Sequence, residues 1–173
     1  MFSHANGGKI PCKNIRSQTA NPQYLYIFGY LSLHHMSPQD HIYELELSVR
    51  DYELDLQGIV NNSVYQNYFE HARHEFLYSR DIDFARLHDE GKDLIVTRVE
   101  IDYKHSLRSH DRFKVTVDTA REGNLRLVFN QLIYRVPDGK LAAKAKVYGV
   151  ALLHGKPVSP ERILELSALG LEE

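Results

Sequence analysis

From Ile42 to Arg50 apolar and polar side chains alternate. Tyr43, Leu45, Leu47 and Val49 fall on one side, and Glu44, Glu46, Ser48 and Arg50 on the other. A period of two predicts a half-buried β-strand. Residues 51–62 break the alternation and carry Gly58, so they read as a loop. From Ser63 the period lengthens. Tyr65, Tyr68, Phe69, Ala72 and Phe76 stand at i, i+3, i+4, i+7 and i+11, the stripe of an amphipathic helix. Ser63 followed by Gln66 reads as a capping box, which starts this helix near Asn62. A second, short helix is predicted over Phe84 to Glu90, stopped by Gly91.

The period of two returns at Leu94 and lasts to Leu153. Val99, Ile101 and Tyr103 alternate with charged residues, and Phe113, Val115 and Val117 with Lys114, Thr116 and Asp118; Leu125, Leu127, Phe129 and Ile133 share one face of the next run. Glu122-Gly123-Asn124 and Pro137-Asp138-Gly139 carry the residues of hairpin turns. Ala143, Ala145, Gly149 and Ala151 put small side chains on one face of residues 141–153, which would let a helix approach closely. A last amphipathic helix is predicted over about Pro160 to Leu169. The order is strand, long helix, then four antiparallel strands, an α+β chain. One helix cannot cover both faces of a five-stranded sheet. The economical solution wraps the sheet around the helix and hides the remaining surface in an oligomer. The apolar segment Val147 to Leu153 is the expected interface.

The loop between the first strand and the long helix is the chemically suggestive part. Asp55 stands three residues before Gly58, and Asn61 and Asn62 lead into the helix. A carboxylate beside a helix N-terminus can act as base or nucleophile on an acyl group, while free backbone N–H groups stabilise the oxyanion. The run Asp55-Leu56-Gln57-Gly58-Ile59-Val60, with Asn61-Asn62, Tyr65, Tyr68 and Glu70-His71-Ala72-Arg73, closely resembles the hotdog-fold acyl thioesterases. The branch is that of the 4-hydroxybenzoyl-CoA and long-chain acyl-CoA thioesterases. Arg50 to Asp55 and Arg73-His74-Glu75-Phe76-Leu77 also look like the plant plastid acyl-carrier-protein thioesterases. A second match runs through Glu100-Ile101-Asp102-Tyr103, Leu107-Arg108 and Asp111.

The resemblance implies a hotdog fold, a five-stranded antiparallel sheet around one long central helix, and hydrolysis of an acyl-CoA or acyl-carrier-protein thioester. It implies a catalytic role for Asp55, an oxyanion contact from the Asn62 N–H, and close backbone approach at Gly58. Substrate contacts fall to Asn61, Tyr65, Glu70 and Arg108. It implies no metal or redox cofactor, and it implies a homodimer or homotetramer whose sites draw on both chains. A hydratase would resemble a loop with Asp and His close together, whereas no His follows Asp55 before His71. A non-catalytic acyl-binding module remains the alternative of a different class, with the intact Asp55 against it.

Each of these residues also has an ordinary structural use. Asp55 could close an Asx-turn, the asparagines could cap the helix, and Tyr65 and Tyr68 could simply pack in the core. Glu70 is a rival carboxylate, with a pairing to Arg73 at i+3 as its more modest task. His71, His74 and Glu75 lack the second His of H-E-x-x-H, so a solvated helix face is the simpler reading. Arg108, Arg112, Arg121 and Arg126 are candidate cations for the phosphates of a carrier.

Composition narrows the field further. With 173 residues and a net charge of −2, the expectation is one domain with no pull toward nucleic acid. No run of apolar residues is long enough to predict a membrane span. Cys12 is the only cysteine, which excludes an intramolecular disulfide and fits a reducing compartment. Residues 1–39 hold Lys9, Lys13 and Arg16 and no acid, and show no sustained period. They are expected to be a poorly structured extension, with the hotdog domain over 40–173 and Met36 as a second candidate start. The expected location is cytoplasmic, or an organelle matrix if the extension is a transit peptide.

Overall fold

The structure, a computed structural model, describes residues 41–171. The expected extension and its transit-peptide reading lie outside the described residues. Strand β1 (Tyr43–Ser48) is followed by a single 3-10 turn (Asp51–Glu53), helix α1 (Asn62–Tyr78) and helix α2 (Phe84–Asp89). Four long strands come next: β2 (Lys92–Tyr103), β3 (Arg112–Glu122), β4 (Arg126–Val136) and β5 (Leu141–Leu153). All pair antiparallel in the order β1-β3-β4-β5-β2. A three-residue strand, β6 (Lys156–Val158), was not predicted; it pairs with Ala151–Leu153 just beyond the point where β4 leaves β5. The sheet curls around α1, and this is the hotdog architecture.

The alternation predicted for the strands is what builds the core. Phe113, Val115 and Val117 of β3 are fully buried, as are Leu127, Ile133, Ala143 and Ala151 on the strands beside them. Against them α1 buries Tyr65, Tyr68, Phe69, Ala72 and Phe76, the stripe read from the sequence. Burial of each such large side chain is worth about 2 kcal/mol. The helix packs mainly against β3 and β1, so the small residues of β5 do not give the close approach expected of them. Gln131 of β4, opposite Ala145, reaches across the seam so that its Nε2 donates to the Phe69 carbonyl of α1 at 2.9 Å.

Four details differ from the sequence reading. The cap of α1 is Asn61, whose Oδ1 accepts from the Ser63 N–H at 3.0 Å; Ser63 therefore sits inside the first turn and caps nothing. Leu125 lies in the β3–β4 turn, 45% exposed, and does not share the buried face of Leu127. The last predicted helix is two 3-10 turns, Pro160–Arg162 and Leu166–Leu169, separated by an extended Glu165. Finally, the segment Val147 to Leu153 is interior to the sheet, flanked by β2 on one side and by β4 and then β6 on the other, with Val147 and Ala151 buried within the chain. Exposed apolar side chains do occur on β2, which pairs on one side only: Ile95, Val96 and Tyr103 are 46%, 45% and 49% exposed.

Candidate active site

The loop from Leu54 to Val60 closes on itself. An isolated bridge joins Leu54 to Val60, the Asp55 N–H donates to the Ile59 carbonyl at 2.8 Å, and the Gly58 N–H donates back to the Asp55 carbonyl at 3.0 Å. Gly58 takes φ +71°, in the left-handed region, where a side chain would be strained although space is open around it. The Asp55 side chain lies within this turn. Its Oδ1 accepts from the Gln57 N–H at 2.8 Å and faces the Ile59 N–H at 3.4 Å. The Asx-turn role expected for Asp55 is thus filled by Oδ1, and the Gln57 side-chain amide stands within donating distance of Oδ2 at 2.9 Å.

Three anchors hold the loop against the body. The Val60 N–H donates to the Leu107 carbonyl and the Asn61 N–H to the Glu53 carbonyl, both at 2.9 Å. The third is Glu53 itself, 7% exposed, whose Oε2 accepts from the Tyr68 hydroxyl at 2.6 Å and from the Arg50 N–H at 2.7 Å. Tyr68 packs on Phe113 with ring centroids 4.6 Å apart. Burial, and then the bond to Glu53, push the Tyr68 phenol far above its ordinary pKa, so it remains a donor.

A cleft of about 210 Å³ opens beside this loop. Asp55, Ile59 and Asn62 line one side; Tyr65, Tyr103 and His105 line the other. Tyr103 is fixed by donating from its hydroxyl to the Asn62 carbonyl at 2.9 Å, and its ring meets Tyr65 edge-on at 5.3 Å. The Tyr65 hydroxyl in turn accepts from the Leu107 N–H at 3.2 Å. The donors at the start of α1 can be accounted for one by one. The Asn61 N–H goes to Glu53, the Ser63 N–H to the Asn61 side chain, and the Val64 N–H to the Asn61 carbonyl. Asn62, in the first turn, has no intrahelical acceptor and no partner among the described residues. Its N–H is the donor left for a ligand at the positive end of the helix.

The structure therefore brings Asp55, Asn62 and Tyr65 to one cleft, with Asn61 capping the helix beside it and Gly58 shaping the loop. Glu70 stands elsewhere, on the exposed side of α1, 4.0 Å from His74. The Glu70–Arg73 pair expected at i+3 does not form, because Arg73 points into the core, where its Nη1 donates to Gln131 Oε1 at 3.0 Å. Arg108 is exposed, held by its N–H to Asp111 Oδ2, and is not part of the cleft wall. Sequence reasoning assigned no role to Glu53, Gln131, Tyr103 or His105. Tyr103 lay in the second stretch of resemblance and could have been singled out there.

The sequence pattern of the thioesterase-like superfamily matches residues 49–161. An acyl-acyl carrier protein thioesterase of Arabidopsis thaliana, ATL3, described as chloroplastic, is 37% identical over 121 residues. That match covers 70% of this chain and 63% of the relative, so the chain spans less than two thirds of the plant protein's length. Among solved structures, a hypothetical protein from Aquifex aeolicus superposes with a TM-score of 0.66 at 30% identity, over 73% of this chain and 98% of that one. A thioesterase from Thermus thermophilus, complexed with coenzyme A and Zn, superposes with a TM-score of 0.63 at 28% identity, over 76% and 95%.

Proposed function

The chain belongs to the thioesterase-like superfamily, and from that premise we propose that it hydrolyses an acyl thioester of coenzyme A or an acyl carrier protein to free acid and thiol. The observation that carries the reading is the pairing, in one cleft, of the Asp55 carboxylate with the unpartnered Asn62 N–H. The thioester carbonyl oxygen lies against that N–H. Asp55 takes a proton from an attacking water, or attacks the carbonyl itself. By either route the negative charge on the tetrahedral oxygen grows toward Asn62, and its collapse expels the thiolate, which takes up a proton. Where Asp55 attacks, water then cleaves the acyl–Asp55 anhydride, releasing the acid and restoring the carboxylate. Tyr103 holds the Asn62 carbonyl and so keeps the first turn of α1 oriented.

The reading extends to assembly. A second copy pairs along the open edge of β2, covering Ile95 and Val96, and each site draws on both chains. Leu56, next to Asp55 and fully exposed, is a further apolar group for the second copy or the substrate to cover. Among the described residues no helix is long and apolar enough to cross a membrane. The compartment is read as cytoplasm or organelle matrix, from the single cysteine and the chloroplastic description of the plant relative.

The test is a panel of acyl-CoA and acyl-carrier-protein thioesters, followed by thiol release. Asp55→Ala should lower kcat by about a hundredfold or more while the melting temperature stays within a few degrees. Undiminished turnover by that variant would move the chemistry to Glu70. No turnover of any thioester by the unaltered chain would leave a binding module.

A further inference from the structure

The most unusual buried group outside the cleft is Arg73. Its side chain is 7% exposed, yet no carboxylate lies within ion-pair distance among the described residues. Nη1 donates to Gln131 Oε1 at 3.0 Å, and the guanidinium stands 6.0 Å from the Phe129 ring centroid. Gln131 is fully buried and is itself fixed by the Phe69 carbonyl. Nε and Nη2 have no hydrogen-bond partner among the described residues, and neither is wholly shut off from the surface. A cation buried to this extent without a counter-charge gives up part of its hydration and receives little in return. Burial indeed lowers the Arg73 pKa, and Glu70 opposes that effect only from the exposed side of the helix.

Arg73 also lines the roomiest of the described cavities, about 370 Å³, between α1 and the β2 edge. Leu77, Phe84, Leu94, Ile95 and Phe129 form most of its remaining wall, and Glu70 and His74 also line it, neither bonded to Arg73. A plain hydrocarbon would fill the apolar part of these walls and offer the guanidinium no acceptor. If the guanidinium served only to tie helix to sheet, its single bond to Gln131 would suffice, and no cavity beside it would be needed. Along α1 the separation from Asn62 to Arg73 is eleven residues, roughly 16 Å at 1.5 Å per residue. That is the reach of an extended acyl chain whose thioester sits at the helix N-terminus.

We propose that Arg73 is a specificity-determining residue: its free guanidinium N–H groups receive an oxygen carried on the acyl chain, so that the cavity selects oxygenated over plain hydrocarbon substrates. This rests on the thioesterase reading and deepens it by naming the substrate class. A hydroxyl, a keto oxygen or a chain-terminal carboxylate supplies the same acceptor. The apolar wall accommodates the methylene run before it, and the hydrogen-bonding site discriminates because an analogue lacking the oxygen leaves the buried cation unpaired.

The experiment compares dodecanoyl-CoA with its chain-terminal hydroxy and carboxy forms, and octanoyl-CoA with its corresponding forms. At one length, the unaltered chain should prefer an oxygenated form at least about tenfold in kcat/KM, the scale of one well-placed hydrogen bond. Arg73→Met, which keeps the length and removes the donors, should abolish the preference by lowering the oxygenated rate and leaving the plain one. The hydroxy and carboxy arms tell a neutral acceptor from an anionic one. Equal losses on both substrate types in the variant would make Arg73 a structural tie and overturn the proposal. So would an unaltered chain that favours the plain substrates, a result that does not depend on the variant folding. Should no thioester be turned over, the matching free acids are read by thermal shift. Stabilisation by the oxygenated acid over the plain one then upholds the Arg73 site although the thioesterase reading has failed, and equal shifts overturn both.

Discussion

At the scale of single residues, polar groups divide into those that do chemistry and those that hold the chemistry still. Glu53 belongs to the second kind. It joins the loop, the 3-10 turn and α1 through the Arg50 N–H and the Tyr68 hydroxyl. Because burial raises the Tyr68 phenol above its ordinary 10.0, the folded chain holds that proton more tightly than the unfolded one. The sign follows from linkage: the contribution is complete below about pH 10 and is lost as pH climbs beyond it. Urea midpoints measured across that range should therefore fall in alkali. Tyr68→Phe should make the fall shallower, and at neutral pH should cost about 1–3 kcal/mol because Glu53 loses a buried donor. A flat midpoint for the unaltered chain would contradict the assignment.

At the scale of elements, α1 depends on its first turn. Asn61 Oδ1 accepts from both the Ser63 N–H and the Ser63 hydroxyl, at 3.0 and 2.9 Å. Asn61→Ala should cost about 1 kcal/mol in denaturant unfolding and loosen the turn that presents the Asn62 N–H, while Asn61→Asp should keep the cap. Helix α1 was legible because its buried stripe repeats over about three turns against a polar background. The C-terminal helix was misread for a reason specific to its spacing. Ile163, Leu164, Leu166 and Leu169 are all buried, as a helix would bury them, but two short turns around an extended Glu165 do so equally well. The position of Asp55, in a turn just before the helix, was legible because a loop glycine and a helix start frame it. Glu53 and Gln131 were not, since a polar residue on a patterned element becomes buried only through a partner distant in sequence.

At the scale of the whole molecule, the two edges of the sheet differ. Strand β1 is a six-residue edge carrying Glu44 and Glu46, whose side chains pair with Lys114 and Arg112. Strand β2 runs twelve residues, slips register between Val96 and Arg98, and exposes Ile95 and Val96. A long apolar edge invites pairing, and a charged short one discourages it. Sedimentation at micromolar concentration should give a dimer or larger, and Val96→Lys should shift it toward a single chain of 20.0 kDa without unfolding it. A single chain that is fully active would sink the shared-site reading. The open edge of β2 has one consequence beyond architecture. If catalysis belongs to the pair, output is no longer proportional to the number of chains: halving their abundance leaves less than half the rate. The same unpaired strand that completes the fold would then let scarcity itself switch the enzyme down.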